Sequence, residues 1–255
     1  KTVWTLSSVR WPAEWMHATC ETPEIKMGNM IELKTADGTL VPAYEARPAG
    51  TPKGAVVVIQ EIFGVNSHIR QVADGYAAEG YVAVAPAAFH RVKPDVALGY
   101  TEADMGEGFG YKTAVEALPA PGVMQDIQAA IDHAAQASGG QVGIVGYCWG
   151  GLLTWRAACT LSGLSAAVPY YGGGVTTEAE IARQPRVPVM AHFAEEDHWI
   201  PLDTVEAFKK AHPQVQVFTY AAHHGFNCDQ RGAWHAPSAQ LARERTLAFF
   251  AQHLG

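Results

Sequence analysis

The chain reads as α/β, a doubly wound and mostly parallel sheet with flanking helices and an antiparallel hairpin at its N-terminal end. Three observations predict this. Continuous β-branched runs such as residues 55–59 suit strands buried on both faces, as parallel strands are. Such runs alternate with helical patterns as far as the C-terminus, the order that stacked βαβ units require. Neither an internal repeat nor a linker-like shift in composition divides the 255 residues. One domain is therefore expected over residues 29–255, behind an N-terminal arm of residues 1–28.

In the arm, Trp4, Trp11 and Trp15 are spread among polar residues and read as apolar anchors lying over the domain. The sharper reading makes the arm a docking surface for a second subunit, and so a route to a homo-oligomer. Residues 30–33 and 40–46 flank Ala36-Asp37-Gly38, a hairpin signal. After the strand at 55–59, Asn66 caps a helix whose Ile69, Val72, Ala73, Tyr76 and Ala77 keep a 3.6-residue period, and Gly80 stops it. Residues 81–85 form the next strand. Residues 86–121 carry four prolines and four glycines and read as an excursion over the active-site rim with at most a short helix. Val123, Ile127, Ala130, Ile131 and Ala134 then mark a helix, 142–145 a strand and 149–161 a helix. Beyond these come strands at 165–170, 187–193 and 215–220 and helices at 177–183 and 202–211. Ser238 is expected to cap a last helix with Leu247, Phe250, Ala251 and Leu254 on one face.

Composition narrows the function. A net charge of −7 without a Lys/Arg run argues against nucleic acid and against anionic membrane surfaces. No apolar run reaches the ~18 residues of a membrane helix. The four cysteines are irregularly spaced, with no C-x-x-C, which suits free thiols in a reducing, cytoplasmic setting and gives no sign of a structural zinc site. The stretch KTVWTLSSVR lacks an apolar signal core.

The densest motif is Gly146-Tyr147-Cys148-Trp149-Gly150 between a buried strand and a helix. It is the nucleophile-elbow pattern with cysteine in place of serine. Such a turn crowds the backbone, so the residues two before and two after must be small. In an open parallel sheet the functional rim lies at the carboxyl ends of the strands. Glu61, Cys148, Asp197 and His224 all fall just past such ends. A thiol of reference pKa ~8.5 needs a base or a positive field. His224 would take its proton and return it to a leaving alkoxide, with Asp197 orienting the imidazole. Glu195 and Glu196 compete with Asp197, and His223 competes with His224; Gly225 favours His224 by allowing a tight turn that aims the ring back. His192 and His198 flank the acid and remain lesser candidates for substrate contact. Cys20, Cys159 and Cys228 are read as inert, with Cys228, close in sequence to His224, kept as a minor suspect. A carboxylate raises the pKa of a nearby thiol, so Glu61 would hold a neutral S–H until substrate displaces it; the plainer reading is a salt bridge to an arginine such as Arg91. The N–H groups of Ile62 and Trp149 are the expected oxyanion-hole donors.

Gln60-Glu61-Ile62-Phe63-Gly64, the Cys148 elbow, Glu196-Asp197-His198 with Pro201, and His224-Gly225-Phe226 together make the chain, from about residue 29 onward, resemble the dienelactone hydrolase family of α/β-hydrolases. The resemblance implies the α/β-hydrolase fold and a Cys148–His224–Asp197 triad with Glu61 gating the thiol. It also implies hydrolysis of cyclic enol-lactones in aromatic degradation, the carboxymethylenebutenolidase type. In the family's best-known branch two arginines hold the substrate carboxylate. Arg91 matches the first as a substrate-binding residue; Cys228 stands where the second would be, with Arg231 three residues further on. The expected enzyme is a cysteine hydrolase of a small ester or lactone, working through an acyl-thioenzyme and needing no cofactor or metal. The alternatives are a broader carboxylesterase or thioesterase, and a non-catalytic ligand-binding module on the same fold.

Overall fold

The computed structural model describes residues 27–255. Residues 1–26 of the arm, with its tryptophans and Cys20, lie outside the described residues. Strands β1 (Asn29–Lys34) and β2 (Leu40–Ala46) form the expected hairpin, turning through Asp37 and Gly38. β3 (Ala55–Ile59), β4 (Val82–Pro86), β5 (Val142–Tyr147), β6 (Leu164–Tyr170), β7 (Met190–Ala194) and β8 (Gln216–Tyr220) complete one sheet of eight strands. Its order is β1-β2-β4-β3-β5-β6-β7-β8, antiparallel as far as the β2–β4 pair and parallel beyond it. Every residue of β3, β4 and β5 is buried, which is why these strands read as unbroken apolar runs.

Helices cover both faces. α1 (Ser67–Ala78) and, at the C-terminal end, a long helix over Ala236–Leu254 lie on one face, where Tyr76 meets Phe250 edge-on. The other face carries α3 (Val123–Ser138), α4 (Trp149–Thr160) and α6 (Leu202–Ala211), with Trp155 packed edge-on against Phe208. A single turn, α5 (Glu178–Ile181), accepts Trp155 Nε1–H at the Glu180 carbonyl. Asn66 caps α1 as expected, its side chain accepting Ile69 N–H. The five apolar positions read for α3 are all buried.

Three local expectations change. Residues 86–121 hold more than a short helix: α2 (Glu102–Glu116) runs for 15 residues, opened by a capping box between Thr101 and Asp104. The terminal helix, α7 (Ala236–Leu254), starts before Ser238, so Ser238 sits inside its first turn and hydrogen-bonds His235 Nδ1 instead of capping. On α7 the buried side chains include Ala242, Thr246, Phe249, Phe250 and Leu254, whereas Ala251 is exposed.

Pairing register brings the site together. Ile59 of β3 is level with Gly146 of β5, and Tyr147 of β5 with Tyr170 of β6. Glu61, Cys148 and Tyr171 therefore leave adjacent strands at one level. The loops after β7 and β8 are tied by Glu195 N–H to the Tyr220 carbonyl (2.8 Å) and Glu196 N–H to the Ala222 carbonyl (3.0 Å). That zipper sets Asp197 beside His224.

Candidate active site

Cys148 is the residue between β5 and α4, with φ 55° and ψ −119°. A non-glycine residue held there stores on the order of 1–3 kcal/mol of backbone strain, and its surroundings must overdetermine it. The crowding foreseen for the elbow is present. A Cβ on Gly146 would meet the Gly150 carbonyl oxygen at 2.2 Å, and one on Gly150 would meet the Gln60 carbonyl oxygen at 2.3 Å. Cys148 N–H is anchored to the Tyr170 carbonyl at 3.1 Å, and its side chain is partly exposed.

His224 and Cys148 line one cavity of about 330 Å³. His224 Nδ1–H donates to Asp197 Oδ2 at 2.7 Å, and Trp199 N–H donates to the other oxygen at 2.8 Å. Asp197 is buried with both oxygens engaged. Burial of the imidazole disfavours its charge, but the Cys148 charge and hydrogen bonds with Asp197 and Cys148 outweigh it, raising His224 to about 10. An imidazolium beside a thiol favours the thiolate. Of the competing residues, His223 is exposed and turned to Glu196, and His198 is exposed. His192 is buried in the core, where Tyr220 and Thr246 hydroxyls occupy its two nitrogens and burial pushes it down to about 3.

The remaining lining is mostly apolar: Ile62 and Phe63 after β3, Met105 and Phe109 of α2, Trp149, and Trp199. α2 is thus a wall of the site. It is fixed to the elbow where Trp149 Nε1–H donates to Glu116 Oε1 at 3.1 Å, while the indole stacks on Phe89. Phe109 and Trp199 meet across the mouth with ring centroids 5.7 Å apart.

Two cations, Arg231 and Lys112, also line the cavity. Arg231 Nη1–H donates to Glu61 Oε1 at 3.1 Å, so the partner of Glu61 is Arg231 and not Arg91. Arg91 is the one sequence-predicted site residue that the fold takes elsewhere. Its Nε and Nη2 engage the fully buried Asp126 and its Nη1 reaches Asp37 of the hairpin, with closest approaches of 2.7 and 2.9 Å. It stitches α3 to the β1–β2 turn and lines none of the cavity. Sequence reasoning missed Lys112, because α2 itself was missed. It also missed Tyr171, a buried residue with φ 35° packed edge-on to His224 at 5.1 Å. Tyr171 directly follows β6, so the strand-end signal that found Cys148 could have found it.

A strained cysteine elbow at the carboxyl rim of an eight-stranded sheet, facing a His–Asp pair, defines an α/β-hydrolase. A putative dienelactone hydrolase from Klebsiella pneumoniae has a closely similar solved structure, with a TM-score of 0.75 and 31% identity, covering 89% of this chain and 98% of that one. Residues 41–254 match the Dienelactone hydrolase family, and the chain belongs to it. Among curated relatives, the carboxymethylenebutenolidase of Pseudomonas putida is 33% identical over 227 residues, 87% of this chain and 95% of that protein. A putative carboxymethylenebutenolidase of Escherichia coli K12 is 33% identical over 241 residues, covering 86% and 85%. Membership makes the protein a hydrolase of small esters or lactones. Among the described residues no helix is long and apolar enough to cross a membrane.

Proposed function

We propose that the protein hydrolyses a small ester or lactone carrying an acidic group, of the dienelactone type, with Cys148 as nucleophile. The carrying observation is the strained Cys148 sharing one cavity with His224, itself bonded to Asp197 at 2.7 Å. The Cys148 thiolate attacks the carbonyl carbon, and the oxyanion develops toward the N–H groups of Ile62 and Trp149. His224 then gives its proton to the departing alkoxide or enolate, leaving an acyl-thioenzyme. A water molecule, deprotonated by His224, attacks the thioester; the acid leaves and the thiolate–imidazolium pair is restored. Asp197 holds the imidazole in orientation throughout.

Arg231 supplies the acid-binding function that Arg91 does not. An incoming carboxylate would take Arg231 from Glu61, the exchange that lets Glu61 gate the site. A substrate from aromatic degradation and a cytoplasmic setting fit this reading, the latter supported by Cys148, Cys159 and Cys228 all being free. A broader carboxylesterase is the second reading, favoured by the apolar cavity wall.

Turnover of a dienelactone and of a neutral p-nitrophenyl ester by wild type and Cys148→Ala tests both. Preference for the dienelactone, abolished in Cys148→Ala, is the expected result. Cys148-dependent turnover of the neutral ester alone selects the broader esterase. Retained activity in Cys148→Ala overturns the mechanism.

A further inference from the structure

We propose that Glu61, His68 and Cys228 form a binding site for a divalent cation of the zinc class, buried behind the catalytic cavity. Glu61 follows β3, His68 lies in the first turn of α1, and Cys228 sits in the loop after β8. One ligand atom from each lies within 4.8 Å of the other two. All three residues are buried, at 1%, 3% and 0% exposure.

The hydrogen bonding of the group is incomplete in a way a cation would complete. Glu61 Oε2 and His68 Nε2 are both buried without a partner. Leaving a buried polar atom unpaired costs about 1–3 kcal/mol, and such atoms are rare. The other nitrogen of His68, Nδ1, faces Asp229 Oδ1 at 3.3 Å. A carboxylate there places the ring proton on Nδ1 and turns the Nε2 lone pair inward, the outer-shell arrangement found behind metal-bound histidines. Neither Oε2 nor Nε2 has a donor within reach, and the one S–H of Cys228, which also neighbours the Tyr100 hydroxyl, cannot serve both. A cation satisfies both together with the sulfur.

The donor set selects the cation. Sulfur, imidazole nitrogen and carboxylate oxygen suit Zn²⁺, whereas Mg²⁺ and Ca²⁺ prefer oxygen alone. Bonds of ~2.0–2.3 Å bring tetrahedral ligand atoms to about 3.6 Å apart, so the trio needs to close by at most about 1 Å. As the sulfur–metal bond forms, the Cys228 proton leaves to solvent. Thiolate and carboxylate then balance the two positive charges, and Oε1 keeps Arg231. With three protein donors, the fourth position falls to water.

The test is direct binding, so its outcome does not depend on the hydrolase mechanism above. The full chain carrying Cys148→Ala, which removes the catalytic thiol as a competing ligand, is titrated with Co²⁺ while thiolate-to-cobalt absorption is followed, and Zn²⁺ is then added. One Co²⁺ per chain with a thiolate band, displaced by one Zn²⁺, is expected. The band should vanish when Cys228→Ser is added, and affinity should fall at least tenfold with His68→Gln, a second probe should the serine variant not fold. Affinity should also rise with pH, as release of the thiol proton demands. Absence of a thiolate band in Cys148→Ala, or a band that survives Cys228→Ser, overturns the site.

Discussion

Two arginine–carboxylate pairs in this molecule look alike at short range and do different work. Arg91 and Arg231 each meet a buried acid, Asp126 in one case and Glu61 in the other. Arg91 is saturated: two of its nitrogens grip Asp126, the third reaches Asp37, and it lines no part of the catalytic cavity. Arg231 makes one bond of 3.1 Å, its partner keeps an unpaired oxygen, and its guanidinium lines the cavity beside the Phe63 and Tyr100 rings. A saturated pair holds structure, and a deficient pair beside a cavity has capacity left for a ligand. That difference is the ground on which the proposed function gives carboxylate binding to Arg231.

The sharpest way to break the comparison is Arg91→Ala. Removing it strands Asp126, at 0% exposure, without its partner, a loss of about 3–5 kcal/mol. Urea unfolding should show that loss with KM for acidic esters unchanged in the folded fraction. A raised KM with stability intact would return Arg91 to the substrate site. The converse variant is Arg231→Ala combined with Glu61→Gln, which removes the cation without stranding a charge. It should lower kcat/KM on an acidic ester by about 10–100-fold, the worth of hydrogen bonds to a charged group, and spare a neutral ester. Equal losses on both esters would make the Arg231–Glu61 pair structural as well.

A parallel contrast separates two histidines. His224 is raised to about 10 and His192 lowered to about 3, although His192 is fully buried and His224 largely so. The difference lies in their partners: Asp197 and Cys148 for one, neutral hydroxyls for the other. A raised histidine adds stability fully present below the unfolded pKa near 6.5, and this is lost as pH rises through about 10. A lowered one favours folding above 6.5, and that contribution falls away as pH drops toward about 3. Wild type should therefore lose stability against His224→Gln between pH 7 and 10 in thermal melts. Parallel melting curves over that range would mean that His224 is neutral in the folded enzyme.

Most of this site was legible because its signals are local. The elbow is five consecutive residues, and the triad follows from strand ends that β-branched runs mark clearly. The placement of the two arginines turns on distance. Arg91 adjoins residues matching a family segment, but its position is decided by Asp126, 35 residues away. Arg231 reaches Glu61 across 170 residues, a contact no spacing reveals. α2 escaped because Gly106, Gly108 and Gly110 weaken its propensity, while its stability rests on the Thr101 cap and on packing along the cavity.

That missed helix also carries the smallest of the expected effects. Lys112 lines the cavity but is bound to Glu116 at 2.9 Å and remains 27% exposed. Solvent and Glu116 both weaken its field, and partly exposed ion pairs are worth about 0–1 kcal/mol. Lys112→Met should raise KM for acidic esters by no more than about fivefold, leave kcat alone, and leave neutral esters unaffected. An effect on acidic esters as large as that of the Arg231 variant would make Lys112 a full partner in carboxylate binding. The deficiency that marks Arg231 would then be one of two ways this cavity recognises an acid, and the comparison of arginines alone would be too narrow.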